Sequence, residues 1–152
     1  MARESLPALP ALPALACACA SLRRTARVVT QLYETELQGT GLRATQFTLL
    51  QALEQLRAAS QGALGRLLAL DPTTLSRTLP PLQRAGWISA TAGTDRREVR
   101  WSLTPAGRRR LARALPAWER AQQRLRARLP ARHWKMLIED LAAVGAAAQA
   151  AR

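Results

Sequence analysis

The residues best suited to chemistry in this sequence are arginines that lie close together. Residues 94–103 read TDRREVRWSL, in which Asp95 stands beside Arg96 and Arg97, and Arg100 follows. A guanidinium group binds phosphate oxygens and guanine edges through a planar fork with two donors. This cluster is therefore predicted to contact nucleic acid.

A second polar group lies upstream, in LDPTTLSRTLPPLQRAGWIS, residues 70–89. Asp71 followed by Pro72 is typical of a helix start, because the aspartate accepts free amides and the proline has no amide to lose. Leu75, Leu79 and Leu82 then define a buried face. The other face carries short hydroxyl side chains and one guanidinium, which suit base edges and phosphates in a major groove. The predicted contacts there are Thr73, Thr74, Ser76, Arg77 and Thr78.

Two cysteines, Cys17 and Cys19, are the candidate reactive thiols. They lie two residues apart on a predicted helix and point in nearly opposite directions, so they cannot form a disulfide with each other without unwinding it. Cys19 falls in the first turn, where amide dipoles and Arg23 favour a thiolate. Such a thiol would react with oxidants or soft metals. The alternative is that both cysteines are half-buried packing residues.

Composition narrows the function classes. A length of 152 residues is typical of a single domain. The 23 basic and 10 acidic residues give a formal charge of +13, which indicates a polyanionic partner. The alternative is that arginine abundance reflects genomic base composition. His133 is the single histidine, and neither a carboxylate pair nor a glycine-rich phosphate loop accompanies it. No enzyme, metal site or cofactor is predicted.

The first residues are predicted to form a flexible arm rich in proline and alanine, residues 1–15. The run resembles a secretion signal, but Pro7, Pro10 and Pro13 interrupt it at every third position and prevent a membrane-competent helix. No later stretch approaches the ~20 uninterrupted apolar residues that a membrane span requires. We therefore expect a cytoplasmic protein that makes no membrane contact, with its cysteines as thiols.

Residues 43–104 are predicted to form a helix-turn-helix followed by a hairpin. One helix buries a stripe of Phe47, Leu50, Leu53 and Leu56 or the adjacent Leu49. Ser60 caps a short third helix, which precedes the helix that begins at Asp71. The predicted strands are residues 87–91 and 97–104, in which Val99, Trp101 and Leu103 alternate, with the turn at residues 92–94. The fold class is thus mainly α with a small β-hairpin wing, a winged helix-turn-helix.

The remaining helices are predicted to join two copies of the chain. A helix over residues 16–38 has an apolar stripe, and after Pro105 the chain is helical to its end. The first helix after Pro105 has a seam at Leu111, Leu115, Trp118, Gln122, Leu125 and Leu129. The last helix is expected to bury Trp134, Leu137, Ile138, Leu141 and Val144. Residues 16–38 and 105–149 are therefore interpreted as dimerisation helices within one domain, residues 16–152; the alternative is a core within one chain.

The order of elements and several motifs resemble the MarR family of bacterial winged-helix regulators. The most specific match is DRREVRWSLTPAG, with Asp95, Arg97, Leu103, Thr104 and Gly107 at the family's positions. The resemblance implies a homodimer that binds a pseudo-palindromic double-stranded operator, with Arg97 in the minor groove and Asp95 bracing it.

The chain departs from the family pattern at Pro80 and Pro81. Proline removes an amide and strains the preceding turn, so the recognition helix is expected to kink or end near Leu79.

Cys19 and Tyr33 are similar to the organic-peroxide-sensing branch of the family, although Ala44 replaces a second tyrosine of that branch and no later cysteine is present. A phenolic or aromatic acid is the family's other common effector.

Together these features predict a sequence-specific DNA-binding transcriptional regulator that acts as a dimer, a repressor released by thiol oxidation or a small ligand. The alternative is a nucleic-acid-binding protein that compacts DNA without regard to sequence, which charge alone would permit. As salt rises, a compacting protein should lose affinity for all duplexes to the same extent, whereas a regulator should keep its preference for the operator.

Overall fold

A computed structural model describes residues 16–93 and 98–151 of the chain. Within these residues the chain forms helices and three short strands. The helices are α1 (Ala18–Leu37), α2 (Ala44–Leu56), α3 (Gln61–Leu68), α4 (Pro72–Arg84), α5 (Pro105–Arg126) and α6 (Ala131–Ala150). The strands are β1 (Ala59–Ser60), β2 (Ile88–Ala92) and β3 (Val99–Leu103). The predicted fold class, mainly helical with a small hairpin, is confirmed.

Three helices begin at a side chain that caps them. Ser60, Asp71 and Thr104 each accept a hydrogen bond from the backbone amide three residues later, at 2.9 to 3.2 Å. The caps satisfy amides that have no partner within a first helical turn. The predicted caps at Ser60 and Asp71 are thus confirmed, and they fix where α3 and α4 start.

Helix α4, the predicted recognition helix, does not end near Leu79, although its two prolines led us to expect that. It continues through Pro80 and Pro81 to Arg84. Because proline has no amide hydrogen, the carbonyls of Ser76 and Arg77 lack their usual helical donors. Both residues lie on the exposed side of the helix, where water can bind these carbonyls instead. The opposite face is held by three leucines that are each only 1% exposed, Leu75, Leu79 and Leu82. Burial of that face outweighs the missing bonds.

The strands form one antiparallel sheet in the order β1, β3, β2. Trp101 in β3 pairs with Ala59 on one side and with Ala90 on the other. The two-residue strand β1 was not foreseen, because so short a segment has no periodicity to detect.

The predicted turn at residues 92–94 is wrong at its first position. Ala92 is the last strand residue of β2, and it pairs with Val99. Val99 also lies largely exposed rather than facing the core. The amide of Gly93 donates to the carbonyl of Glu98 at 2.7 Å, so the hairpin closes on a longer connection than was predicted. Residues 94–97 of that connection lie outside the described residues.

The core fills the space between α2, α3, α4, α5 and the sheet. Phe47, Leu49, Leu50 and Leu53 of α2 are buried, whereas Leu56 is 41% exposed. The prediction had left open whether Leu56 or Leu49 belongs to this buried stripe, and the buried residue is Leu49. The ring of Phe47 stacks on Trp118 of α5 with 5.9 Å between ring centroids, which anchors α5 over the core.

The face that α5 buries differs from the predicted seam. Ala114, Ala117 and Ala121 are almost fully buried, whereas Leu115 lies exposed. Small side chains allow α5 to approach α1 and α2 closely, and they carry too little hydrophobic area to dominate a sequence pattern. The other predicted seam residues are half-buried at its edges: Leu111, Trp118, Gln122, Leu125 and Leu129.

The last helix, α6, was expected to bury five apolar side chains, and none of its residues is buried in the single chain. Ile138 and Leu141 are 52% and 47% exposed. Trp134 and Leu137 are half-buried, and Arg126 of α5 lies over the Trp134 ring at 5.5 Å. No helix within residues 16–93 and 98–151 is long and apolar enough to cross a membrane.

Candidate nucleic-acid interface

The outward face of α4 is polar. Thr73, Ser76 and Arg77 are exposed, and Thr74 and Thr78 are half-buried. Arg77 therefore reaches solvent from the middle of the helix, with the hydroxyl side chains arranged around it.

Two of the hydroxyl groups are partly committed to the helix itself. The Ser76 hydroxyl donates to the carbonyl of Pro72 at 2.8 Å, and that of Thr78 donates to the carbonyl of Thr74 at 2.8 Å. Their oxygens keep lone pairs to accept from a partner, whereas Arg77 brings donors.

Gln61, the first residue of α3, supports this face, and sequence reasoning missed it. Its Nε2 donates to the carbonyl of Pro72 and to the hydroxyl of Ser76, at 3.0 Å each. The start of α3 is thereby bound to the start of α4. The sequence offers no signal for this contact, because glutamine is common on exposed helix surfaces.

The turn between α3 and α4 is tight. Ala69 adopts a left-handed conformation at φ +51, and the amide of Leu70 donates to the carbonyl of Gly65 at 3.0 Å. A Cβ on Gly65 would lie 2.9 Å from the carbonyl oxygen of Leu70. Glycine at this position lets the two helices approach as a helix-turn-helix requires.

Asp71 carries a negative charge at the start of the recognition helix. Hydrogen bonds from the Thr74 hydroxyl, at 2.6 Å, and from the Thr74 amide lower the pKa of its carboxyl group. Both carboxylate oxygens are thus occupied by capping. The charge stabilises the positive end of the helix dipole.

The predicted wing arginines fall in two different places. Arg100 lies within β3, half-buried, and its Nη2 donates to the carbonyl of Ala58 at 2.9 Å. This bond connects the wing to the segment that precedes α3. The other predicted wing contacts, Asp95, Arg96 and Arg97, lie outside the described residues.

The start of α5 holds the end of α4 in place. The Thr104 hydroxyl donates to the carbonyl of Gly86 at 2.6 Å, and the Thr104 amide donates to the carbonyl of Trp87 at 3.0 Å. A Cβ on Gly107 would collide with the same Trp87 carbonyl. The spacing Leu-Thr-x-x-Gly therefore has a structural reason: threonine caps α5, and glycine lets α5 touch the chain that leaves the recognition helix.

The candidate sensing residues all lie on or next to α1. Cys17 precedes the helix, Cys19 is its second residue, and both are exposed. Tyr33 is half-buried, and burial raises the pKa of its phenol. Tyr33 lies fourteen positions after Cys19 along the helix, roughly 21 Å away, so one chain does not bring them together. No three histidine, cysteine or carboxylate side chains of the described residues cluster as metal ligands would.

A groove of about 330 Å³ lies between α2 and α5. Nε of Arg108 and Oε2 of Glu54 meet across it at 3.3 Å. Its lining combines apolar and polar side chains: Phe47, Gln51, Glu54, Gln55, Arg108, Leu111, Ala112 and Leu115. This groove was not predicted from the sequence, because its lining comes from two helices that are distant along the chain.

Comparison with known proteins identifies the family. The MarR family profile matches residues 42–99, which include α2 to α4 and the first strand of the hairpin. The transcriptional regulator MosR of M. tuberculosis, solved in complex with DNA, is 34% identical to this chain. The match covers 90% of this chain and 98% of that one, with a TM-score of 0.82. The chain belongs to the MarR family.

Two further proteins are similar to this MarR-family chain. A probable transcriptional regulator from Pseudomonas aeruginosa is 29% identical, over 85% of this chain and 97% of that one, with a TM-score of 0.77. The HTH-type transcriptional regulator YwoH of Bacillus subtilis (strain 168) is 26% identical over 83 residues. That alignment covers 55% of this chain and 61% of YwoH, so it spans about three fifths of that relative. The predicted family resemblance and its winged-helix fold are confirmed.

Proposed function

We propose that this MarR-family protein is a transcriptional regulator that binds a double-stranded DNA operator in a sequence-specific manner as a homodimer. The observation that supports this proposal most strongly is the firm support and the polar outer face of helix α4. It is capped at Asp71, supported by Gln61, and buried along its leucine face, so that Thr73 and Arg77 face outward from a fixed support. A rigid helix with short polar side chains fits a major groove and reads base edges there.

Charge and relatives support the same function. A formal charge of +13 attracts the phosphate backbone over distances beyond direct contact. MosR, the relative at 34% identity, was solved in complex with DNA. We infer that Arg96 and Arg97 at the hairpin tip enter the minor groove next to α4, with Asp95 bracing Arg97, as the MarR-family motif implies.

The dimer is inferred from apolar surface at the two ends of the chain. Large apolar side chains on α1 and α6 are 39% to 52% exposed: Leu22, Val28, Met136, Ile138, Leu141 and Val144. These faces are exposed to water in a monomer, and burying them against another copy would lower the free energy. Two copies joined through α1, α5 and α6 would present two recognition helices to successive grooves.

We further propose that the protein acts in the cytoplasm as a repressor and that a chemical signal releases it from DNA. Cys19 is the proposed sensor of oxidants, with Cys17 or a small thiol resolving the oxidised sulfur. Tyr33 of a second copy would have to supply any phenol near the Cys19 thiol. A small acid bound next to the dimer helices is the other candidate signal.

The experiment that tests the proposal selects genomic fragments bound by the purified protein and measures affinity for the best fragment and for a scrambled duplex at rising salt. A regulator should keep a preference of roughly 10³-fold or more at physiological salt. Equal affinity for both duplexes at every salt concentration would instead indicate a DNA-compacting protein, the function that charge alone supports.

A pair of variants sharpens this test. Arg77→Ala removes a guanidinium from the recognition face, and Arg132→Ala removes the same charge from the start of α6. Arg77→Ala should reduce the operator preference by about tenfold or more, whereas Arg132→Ala should leave it unchanged. Equal losses would mean that α4 does not read the sequence.

A further inference from the structure

We propose that Arg110 is a positioning residue that sets where the recognition helix stands relative to the dimer-forming helices, and thereby the half-site spacing of the operator. The inference rests on the function proposed above. Arg110 lies in the second turn of α5 and is half-buried. Its guanidinium carbon lies 5.0 Å from the ring centroid of Trp87, and Nη2 lies against Gly41 on another side.

The Trp87 contact reaches the recognition helix through the backbone. Trp87 lies three residues after the end of α4 at Arg84, and its amide donates to the carbonyl of Leu82 at 3.0 Å. Its carbonyl accepts from Thr104 at the start of α5, also at 3.0 Å. A displacement of the Trp87 ring therefore moves the last turn of α4 with it.

The Gly41 contact reaches the dimer-forming helix α1. Gly41 adopts φ +70 in the turn between α1 and α2, and a Cβ at this position would collide with Nη2 of Arg110. The turn is fixed by the Thr40 hydroxyl, which donates to the carbonyl of Leu37 at 2.7 Å and accepts from the amide of Leu42 at 3.2 Å. Leu37 and Leu42 are buried, so the turn cannot shift independently of α1.

The environment of Arg110 suits stacking and not ion pairing. Within residues 16–93 and 98–151 it forms no ion pair, and its Nε is buried without a hydrogen-bond partner. Burying part of a cation without a carboxylate is unfavourable unless contacts with a ring compensate it. The planar guanidinium fits between the Trp87 ring and the Gly41 backbone, whereas a lysine ammonium group has no plane to stack.

One side chain thus connects the end of α1 to the end of α4. In a dimer, α1 and its neighbours determine how far apart the two subunits lie, and the contact through Arg110 determines where α4 lies within each subunit. The distance between the two recognition helices follows from both, and it must match the helical repeat of DNA. A loosened contact at Arg110 should therefore weaken discrimination between operators of different spacing.

The test compares Arg110→Lys with Arg109→Lys, which makes the same substitution at the adjacent exposed arginine. The probes are the operator selected from the genome, the same operator with one base pair inserted between its half-sites, and a scrambled duplex. Arg110→Lys should lower the preference for native over altered spacing by about tenfold, with affinity for the scrambled duplex unchanged. Arg109→Lys should keep the wild-type preference.

Gly41→Ala provides a second route to the same contact, because its Cβ would collide with Nη2 and displace the guanidinium from its place between Gly41 and Trp87. Gly39→Ala is its control, since no atom lies within 4 Å of a Cβ built there. Gly41→Ala should reproduce the loss of spacing preference in protein that remains dimeric by sedimentation. A wild-type preference in Arg110→Lys would overturn the positioning role, whereas a wild-type protein without any operator preference would overturn the proposed function itself.

Discussion

Arg100 and Ala58 are joined by a hydrogen bond from Nη2 to the carbonyl oxygen, 2.9 Å long, between residues 42 positions apart in the chain. The bond connects Arg100, the second residue of β3, to the segment that leads into β1 and α3. It gives Arg100 a structural role, and the DNA contact predicted for this arginine stays a prediction. The wing and the helix-turn-helix are therefore held together by a side chain as well as by strand pairing.

We expect Arg100→Met to lower the free energy of unfolding by about 1 to 3 kcal/mol, because it leaves the half-buried carbonyl of Ala58 without a partner. Urea denaturation followed by circular dichroism measures the change. Arg66→Met is the control, since Arg66 is an exposed arginine of α3. Equal stability of the two variants would show that the bond contributes nothing.

Arg97→Ala should weaken operator binding by about 1 to 3 kcal/mol while leaving the dimer intact. The reason is that Arg97 precedes β3 in the chain, whereas the proposed dimer contacts are on α1, α5 and α6. Fluorescence anisotropy with the operator gives the affinity, and sedimentation gives the oligomeric state. Loss of the dimer in this variant would mean that the hairpin takes part in the subunit interface.

Leu141→Glu should separate the subunits, because it places a charge in the middle of the exposed apolar face of α6. We expect the dissociation constant of the dimer to rise by about 30-fold or more. Ala143→Glu makes the same change on another side of the helix and should leave the dimer unaffected. A dimer that survives both substitutions would show that α6 is not at the interface.

Stability at acidic pH should depend on Glu36. Its Oε1 accepts from Nη1 of Arg124 at 2.5 Å and its Oε2 from Nε of Arg120 at 3.1 Å, and the two contacts lower the pKa of the Glu36 carboxyl group. The stabilisation is complete above the ordinary value of 4.5 and is lost as the pH falls through the lower value in the folded state.

Glu36→Gln should therefore unfold at lower urea than wild type at pH 7, and the difference should shrink as the pH falls below 4.5. Asp71 remains in both proteins and contributes in the same direction, so it cancels from the comparison. A difference that stays constant down to pH 2 would show that the ion pairs between α1 and α5 do not stabilise the fold.

Peroxide should lower the operator affinity of the wild type by about tenfold or more, and Cys19→Ser should abolish that response. The expectation follows from the exposure of Cys19 in the first turn of α1. Cys17→Ser is the matched variant, and a retained but irreversible response there would assign Cys17 the resolving role. Equal responses of wild type and Cys19→Ser would eliminate the thiol switch.

Local features of the sequence predicted much of this fold correctly. The caps at Ser60 and Asp71 and the leucine face of α4 each depend on a few neighbouring residues, so their patterns are visible along the chain. The motif that ends in Thr104 and Gly107 belongs to the same class, because capping and close approach require particular residue types at particular spacings. These features were enough to identify a winged helix and to predict its recognition face.

The tertiary structure decided what those patterns could not. α4 passes through Pro80 and Pro81 because burial of Leu79 and Leu82 outweighs two lost hydrogen bonds, a balance that local propensity does not contain. α5 packs through alanines because α1 and α2 lie close to it. The contacts of Arg100 with Ala58, and of Arg110 with both Gly41 and Trp87, join residues far apart in the chain. Each of these contacts depends on the relative positions of whole helices and strands, which only tertiary packing determines.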